Sequence, residues 1–272
     1  MAPYLDISRL PETLKKTSAD AGFALSGCDL CSFRSFDLAG MDAFLEEQKI
    51  SGIIMHGSSF ISNEDVLDNV RDLSIPVVLV FASLNDLLRQ HLPGSYCDLP
   101  EGWELGLRYL KKIGHRRIGV VAPFIRGCGF REYQSLLSHI GLDNSAELLP
   151  KTALFTQLEN KNRPQEYAEQ INQEVLRMLG LAKPPSVFYC FNDYWALPVY
   201  ATLNKLGLRI PGDVAVLGFT SSLDCESLAP PLTSIGMDIQ QVYTHAVSLI
   251  EQQKNIPTIM KIELPLHKRS ST

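Results

Sequence analysis

The residues whose types and spacing could do chemistry are few, and most fail on inspection. Cys28-Asp-Leu-Cys31 has the CxxC spacing of half a zinc site or of a redox dithiol. Structural zinc takes four ligands, yet Cys97, Cys128, Cys190 and Cys225 offer neither a second CxxC nor a paired histidine motif. A reactive dithiol wants its first cysteine at a helix N-terminus. Here the pair runs into a Ser/Phe-rich stretch, so a structural role is expected, with no metal. No GxxxxGK[ST] or GxGxxG phosphate loop, GxSxG elbow or HExxH pair occurs in the chain. His115, in Gly114-His-Arg-Arg-Ile-Gly119, reads as a turn histidine resting on its own sheet. No catalytic residue and no cofactor is expected, and the chain does not read as an enzyme. Asn192-Asp193 is more suggestive. It follows an apolar run and precedes a helical pattern, so either side chain can cap the helix while the other faces a ligand.

These positions need elements to hold them, and the elements are legible. Gly22–Leu25, Gly52–Met55, Pro76–Ala82, Ile118–Ala122, Val187–Cys190 and Val214–Phe219 are short apolar runs bounded by Gly, Pro or charge, the pattern of buried strands. Between them lie helical faces: Trp103, Leu107 and Leu110 form one, and Ile239, Val242, Tyr243, Ala246, Val247 and Ile250 another. Gly114, Gly141 and Gly207 stand where helices should stop. Pro11 should open the first helix at its first turn. Pro198 should delay or bend the helix after Asn192. Alternating strand and helix of this kind predicts an α/β fold with parallel sheets covered on both faces.

The chain has 272 residues, 25 Lys+Arg against 30 Asp+Glu and a formal net charge of −5, enough for two compact units. Duplex-binding surfaces are usually basic, and this balance is not. No apolar run reaches the ~20 residues of a membrane helix, and the N-terminus has no basic-then-apolar leader pattern. Six cysteines are too sparse for a disulfide scaffold. A cytoplasmic protein that does not engage a membrane is expected.

Several segments carry a family resemblance. Leu110-Lys-Lys-Ile-Gly-His-Arg-Arg-Ile118, Phe188-Tyr-Cys-Phe-Asn-Asp-Tyr-Trp-Ala196, Gly207-Leu-Arg-Ile-Pro-Gly-Asp-Val-Ala-Val-Leu-Gly-Phe219 and Pro230-Pro-Leu-Thr-Ser-Ile235 occur in order. Ser51-Gly-Ile-Ile54 and Ile75-Pro-Val-Val78 precede them, and Leu264-Pro to Arg269-Ser-Ser-Thr272 closes the set. Together they resemble the effector-binding core of the lac repressor (LacI/GalR) family of transcription regulators, which shares its fold with periplasmic sugar-binding proteins. The resemblance spans nearly the whole chain.

That resemblance implies two Rossmann-like lobes joined by three crossovers, with a ligand cleft between them. Residues 1–97 and 238–264 would form the N-terminal lobe, and 98–237 with 265–272 the C-terminal lobe. It implies a homodimer, a small-molecule effector and DNA contact only through a helix-turn-helix domain expected to be absent from these residues. The alternative is a stand-alone solute-binding protein of the same fold. Arg131 and Asn192 occupy the places of the family's effector-contacting arginine and asparagine. Thr220 and Ser221 stand where the family has an acidic residue, and Phe81 stands at another usually polar or acidic position. Gln134 and Pro198 replace family glycines. The effector-binding set is therefore Arg131, Asn192, Thr220, Ser221 and Phe81. A guanidinium fork suits vicinal hydroxyls or a carboxylate, and with no acidic residue at the two usual places the set favours a carboxylate-bearing, partly apolar ring over a neutral sugar-like polyol.

Overall fold

The computed structural model describes residues 4–5, 10–28, 36–56, 70–122, 130–151, 164–221, 224–252 and 258–272. The chain divides into two compact units, residues 1–98 with 238–263 and residues 99–237 with 264–272. Both are built on parallel sheets, and Val77–Ala82, Ile118–Val121, Val187–Cys190 and Ala215–Thr220 are buried along nearly their whole length, as strands covered on both faces are.

In the first unit, β3 (Ile53–His56), β4 (Val77–Ala82), β5 (Gly94–Cys97) and β10 (Ile259–Ile262) pair in parallel in the order β10-β5-β4-β3. Helices α2 (Leu38–Glu47), α3 (Leu84–Gln90) and α8 (Ile239–Glu251) belong to this unit. The buried side of α8 is Val242, Tyr243, Ala246, Val247, Leu249 and Ile250, close to the stripe read from the sequence. A capping box starts α3: Ser83 Oγ accepts from Asp86 N–H while the Asp86 carboxylate accepts from Ser83 N–H. The register of β4 against β5 slips. Leu79 faces Gly94 and Ala82 faces Tyr96, three steps on one strand against two on the other. One extra residue is thus inserted in β4 beside Phe81, whose φ is +55°.

The N-terminal segment departs from expectation. Residues 22–25 form no strand. Instead β1 (Tyr4–Leu5) pairs antiparallel with β2 (Gly27–Cys28), a two-residue ladder apart from the main sheets. Apolar content alone does not make a strand, and these residues join no ladder. Helix α1 (Glu12–Asp20) begins after Pro11, which is the cap residue and not the first helical one.

In the second unit, β6 (Ile118–Val121), β7 (Val187–Cys190), β8 (Ala215–Thr220) and β9 (Thr233–Gly236) run parallel, and β11 (Leu266–His267) joins β9 antiparallel. Its helices are α4 (Leu99–Lys112), α5 (Phe130–Ile140), α6 (Pro164–Leu179) and α7 (Asp193–Lys205). Gly114, Gly141 and Gly207, which follow α4, α5 and α7, have φ of +108°, +77° and +71°. That is the left-handed residue for which glycine ends a helix. Pro198 lies inside α7, which nonetheless runs unbroken from Asp193. The carbonyl it leaves without its usual amide partner is that of Tyr194, a residue with an exposed side chain.

Candidate functional site

In an open parallel sheet, ligands bind outside the carboxyl ends of the strands, where loops and helix starts converge. Four of the five expected contact residues are described there. Asn192 follows β7, Thr220 ends β8, Ser221 comes next, and Phe81 lies one residue from the end of β4. The first three share the second unit on adjacent strands; Phe81 belongs to the first unit. Arg131 is the second residue of α5, and its side chain lies outside the described residues, as do the side chain of Cys28 and the whole of Cys31.

The alternatives for Asn192-Asp193 resolve in one direction. Asn192, 8% exposed, caps α7 by accepting the Trp195 N–H on Oδ1 at 3.1 Å. Its amide nitrogen remains as a donor. Asp193 is fully buried. Its carboxyl takes a hydrogen bond from Ser234 Oγ on β9 at 2.6 Å, and the Cys225 thiol also bonds to it. Gly218 on β8 makes room for this: a Cβ there would lie 2.2 Å from Asp193 Oδ1. The aspartate therefore ties the start of α7 to the sheet and fixes the strand that ends in Thr220. Burial, and then the Asp193 charge, hold the Cys190 thiol well above its usual range and push the Cys225 thiol up to about 12. Neither supplies a thiolate near neutral pH.

Of the five left-handed non-glycine residues among the described residues, Lys49 and His91 follow helices, and the other three lie at these strand ends. Phe81, Thr220 and Ser221 have φ of +55°, +85° and +45°, a region that side chains larger than glycine rarely adopt. Each such residue costs about 1–3 kcal/mol and persists only where its surroundings over-determine it, which is typical of ligand clamps. Ser221 Oγ is buried without a hydrogen-bond partner among the described residues.

Aromatic rings line both regions. In the first unit, Phe81 lies 5.4 Å from the His56 ring and 5.8 Å edge-on to Tyr243, while Tyr243 Oη and His56 Nε2 are 3.3 Å apart. Burial lowers the His56 pKa and pushes the Tyr243 phenol up to about 12, so both are neutral near pH 7. In the second unit, Trp103 of α4 stacks with Phe191 at 6.3 Å and with Phe219 at 5.7 Å, and meets Tyr133 edge-on at 5.8 Å. Sequence reasoning missed His56, Tyr243 and Phe191 as neighbours of the site. One signal was available, since His56 and Phe191 directly follow or end apolar strand runs. His115 behaves as expected, with Nδ1 2.8 Å from Ser186 Oγ beside β7. Among the described residues no cluster of His, Cys, Asp or Glu could hold a metal ion.

Residues 107–272 match the model of a family described as periplasmic binding protein-like domain. The chain belongs to that family. Among similar proteins, the HTH-type transcriptional repressor PurR of Actinobacillus pleuropneumoniae serotype 3 is 25% identical over 214 residues, 78% of this chain and 59% of PurR. The HTH-type transcriptional repressor CytR of Escherichia coli is 23% identical over 246 residues, 90% of this chain and 68% of CytR. The chain thus spans 59% of the length of the first of these. A LacI family transcriptional regulator from Enterococcus faecium, solved with bound ribose, superposes with a TM-score of 0.69 at 20% identity, covering 96% of this chain and 92% of that one. The periplasmic binding protein-like fold accounts for the parallel sheets of both units. No helix among the described residues is long and apolar enough to cross a membrane.

Proposed function

We propose that this chain is the effector-sensing, dimerising core of a LacI-type transcription regulator. It binds a small molecule at the carboxyl ends of its parallel strands and reads DNA through a segment outside these 272 residues. The observation that carries ligand binding is the set of three left-handed, non-glycine residues at strand ends, Phe81, Thr220 and Ser221. Strain of this kind is retained where a ligand must be met. The repressors among the relatives and the ordered sequence motifs support the regulatory role. The reading includes a cytoplasmic homodimer with no catalytic activity.

Arg131, Asn192, Thr220, Ser221 and Phe81 are the proposed contacts. Arginine gives a forked pair of donors, asparagine a free amide, the hydroxyls either role, and Phe81 an apolar wall. The proposed effector is a partly apolar ring with a carboxylate, favoured over a neutral sugar.

The test begins with a thermal-shift screen of sugars, nucleosides and organic acids, since a ligand at 100 times its Kd stabilises by roughly 2.7 kcal/mol. The full gene product is then titrated onto duplex DNA with and without the hit. Salt-dependent duplex binding that the hit changes is the expected result. Ligand binding with no duplex binding would assign the chain to stand-alone solute binding instead. Arg131→Ala should remove about 2–5 kcal/mol of affinity for an anionic hit. Sedimentation of a monomer at micromolar concentration would remove the homodimer.

A further inference from the structure

Tyr243 is buried on α8 at 1% exposure, and its phenol proton needs an acceptor. Its partner among the described residues is His56 Nε2, 3.3 Å from Oη, at the long end of the hydrogen-bond range. Burial keeps the His56 ring neutral near pH 7, so it carries one proton and not two. Two arrangements are open to such a pair. In one, the phenol donates to a bare Nε2 and the imidazole proton sits on Nδ1; in the other, Nε2–H donates to the phenol oxygen. The second leaves the buried phenol proton without an acceptor among the described residues, the costly way to bury a donor. It also makes the weakly basic phenol oxygen accept in place of the more basic imidazole nitrogen. The first arrangement satisfies both atoms.

The imidazole so fixed sits at the carboxyl edge of the first unit's sheet. His56 ends β3, Phe81 is next to last in β4, and their rings are 5.4 Å apart. Tyr243 closes a triangle of rings, 6.1 Å from His56 and 5.8 Å edge-on to Phe81. Phe81 is the one residue of β4 that is not fully buried, and it holds its left-handed φ beside the inserted residue. His56 is likewise half-buried. Its Nδ1 has no hydrogen-bond partner among the described residues. Nor is it one of the first unit's sealed, unpartnered atoms, which belong to Ser18, Gln90, Ser95 and His245. Among the described residues, Nδ1 is therefore open at the edge where Phe81 lies.

We propose that Tyr243 is a positioning residue that locks His56 in the Nδ1–H form, and that His56 thereby serves as a neutral hydrogen-bond donor to the effector. The group it fits is an uncharged acceptor on the rim of a planar ring, a carbonyl oxygen or a ring nitrogen, with the ring against Phe81. An N–H or a cation at that place would meet a proton where it needs a lone pair, so the lock selects by hydrogen-bond direction. The inference rests on the ligand-binding reading above and deepens it by naming what the effector presents to the first unit.

The lock is read without any ligand. Long-range proton–nitrogen NMR spectra of the 272-residue chain near pH 7 show both ring nitrogens of its six histidines, and His56→Gln assigns the His56 pair. Nε2 of His56 should resonate as a bare nitrogen and Nδ1 as a protonated one, and Tyr243→Phe should move the pair toward the Nε2–H form. The chain is then titrated separately with acetophenone, a planar ring bearing only an acceptor, and with ethylbenzene. Acetophenone should move the His56 Nδ1 signal, and ethylbenzene should leave it in place. Tyr243→Phe should weaken acetophenone by roughly two- to tenfold, the value of one neutral hydrogen bond. A proton on Nε2 in the wild-type chain, a nitrogen pair that Tyr243→Phe does not move, or equal response to the two compounds would overturn the proposal. If Tyr243→Phe fails to fold, the wild-type spectrum and the two titrations decide it. These outcomes leave the regulator reading intact, since that stands or falls on the ligand-dependent duplex titration.

Discussion

Replacing Gly218 with alanine tests the packing that fixes the end of β8. The added methyl would lie 2.2 Å from Asp193 Oδ1 and 2.9 Å from Leu232 Cδ2, far inside contact distance. Asp193 cannot swing away freely, because its carboxyl is fully buried and held by Ser234 Oγ at 2.6 Å. Overpacking a tight site costs about 1–3 kcal/mol. Breaking a hydrogen bond to a carboxylate adds about 1.5–3 kcal/mol. Gly218→Ala should therefore destabilise by about 4 kcal/mol, or roughly 8–16 °C in Tm for a unit of this size. Asp193→Ala alone should cost about 2–3 kcal/mol, mostly through the lost hydrogen bond from Ser234 to the carboxylate. In the double variant the carboxylate is gone and the leucine methyl can rotate, so Gly218→Ala should add less than about 1 kcal/mol, a strong coupling between neighbours. Urea titrations of the four proteins measure this directly. If the glycine substitution costs the same with and without Asp193, the aspartate is not the obstacle and the reasoning is wrong.

Other outcomes follow from the same structure. Gly207→Ala, with φ of +71° and no atom within 4 Å of the added Cβ, should cost only the left-handed backbone penalty of about 1–2 kcal/mol, seen as a modest drop in urea midpoint. Asn192→Ala should lose about 1 kcal/mol with the α7 cap, and Asn192→Asp should restore it, by the same assay. Burial lowers the pKa of His56, His115 and His245 in the folded chain. The unfolded chain therefore takes up protons first as pH drops below 6.5, and the histidine contribution should lower stability from there toward the lower folded values, with no histidine contribution above that range. His56→Gln should flatten that acid limb in pH-dependent melting curves; an unchanged limb would show that His56 contributes nothing to it.

The sequence by itself determined the parts whose burial does not depend on a distant partner. The runs at β4, β6, β7 and β8 are almost wholly apolar because both faces of a parallel sheet are covered, and that signature is local. Gly114, Gly141 and Gly207 marked helix ends because left-handed backbone geometry is a property of single residues. Tertiary structure decided the rest. Residues 22–25 have a strand's composition yet join no ladder. Strand β10 is partly exposed and exists because Gly94–Cys97 offers an open edge. The inserted residue beside Phe81 comes from the pairing of β4 with β5, and no spacing along β4 announces it. Asn192 and Asp193 are both good caps by type; only the placement of Ser234 and the gap at Gly218 send the aspartate inward and leave the asparagine at the strand end. Local sequence sets what a segment can become, and pairing over long separations selects which of those possibilities is satisfied.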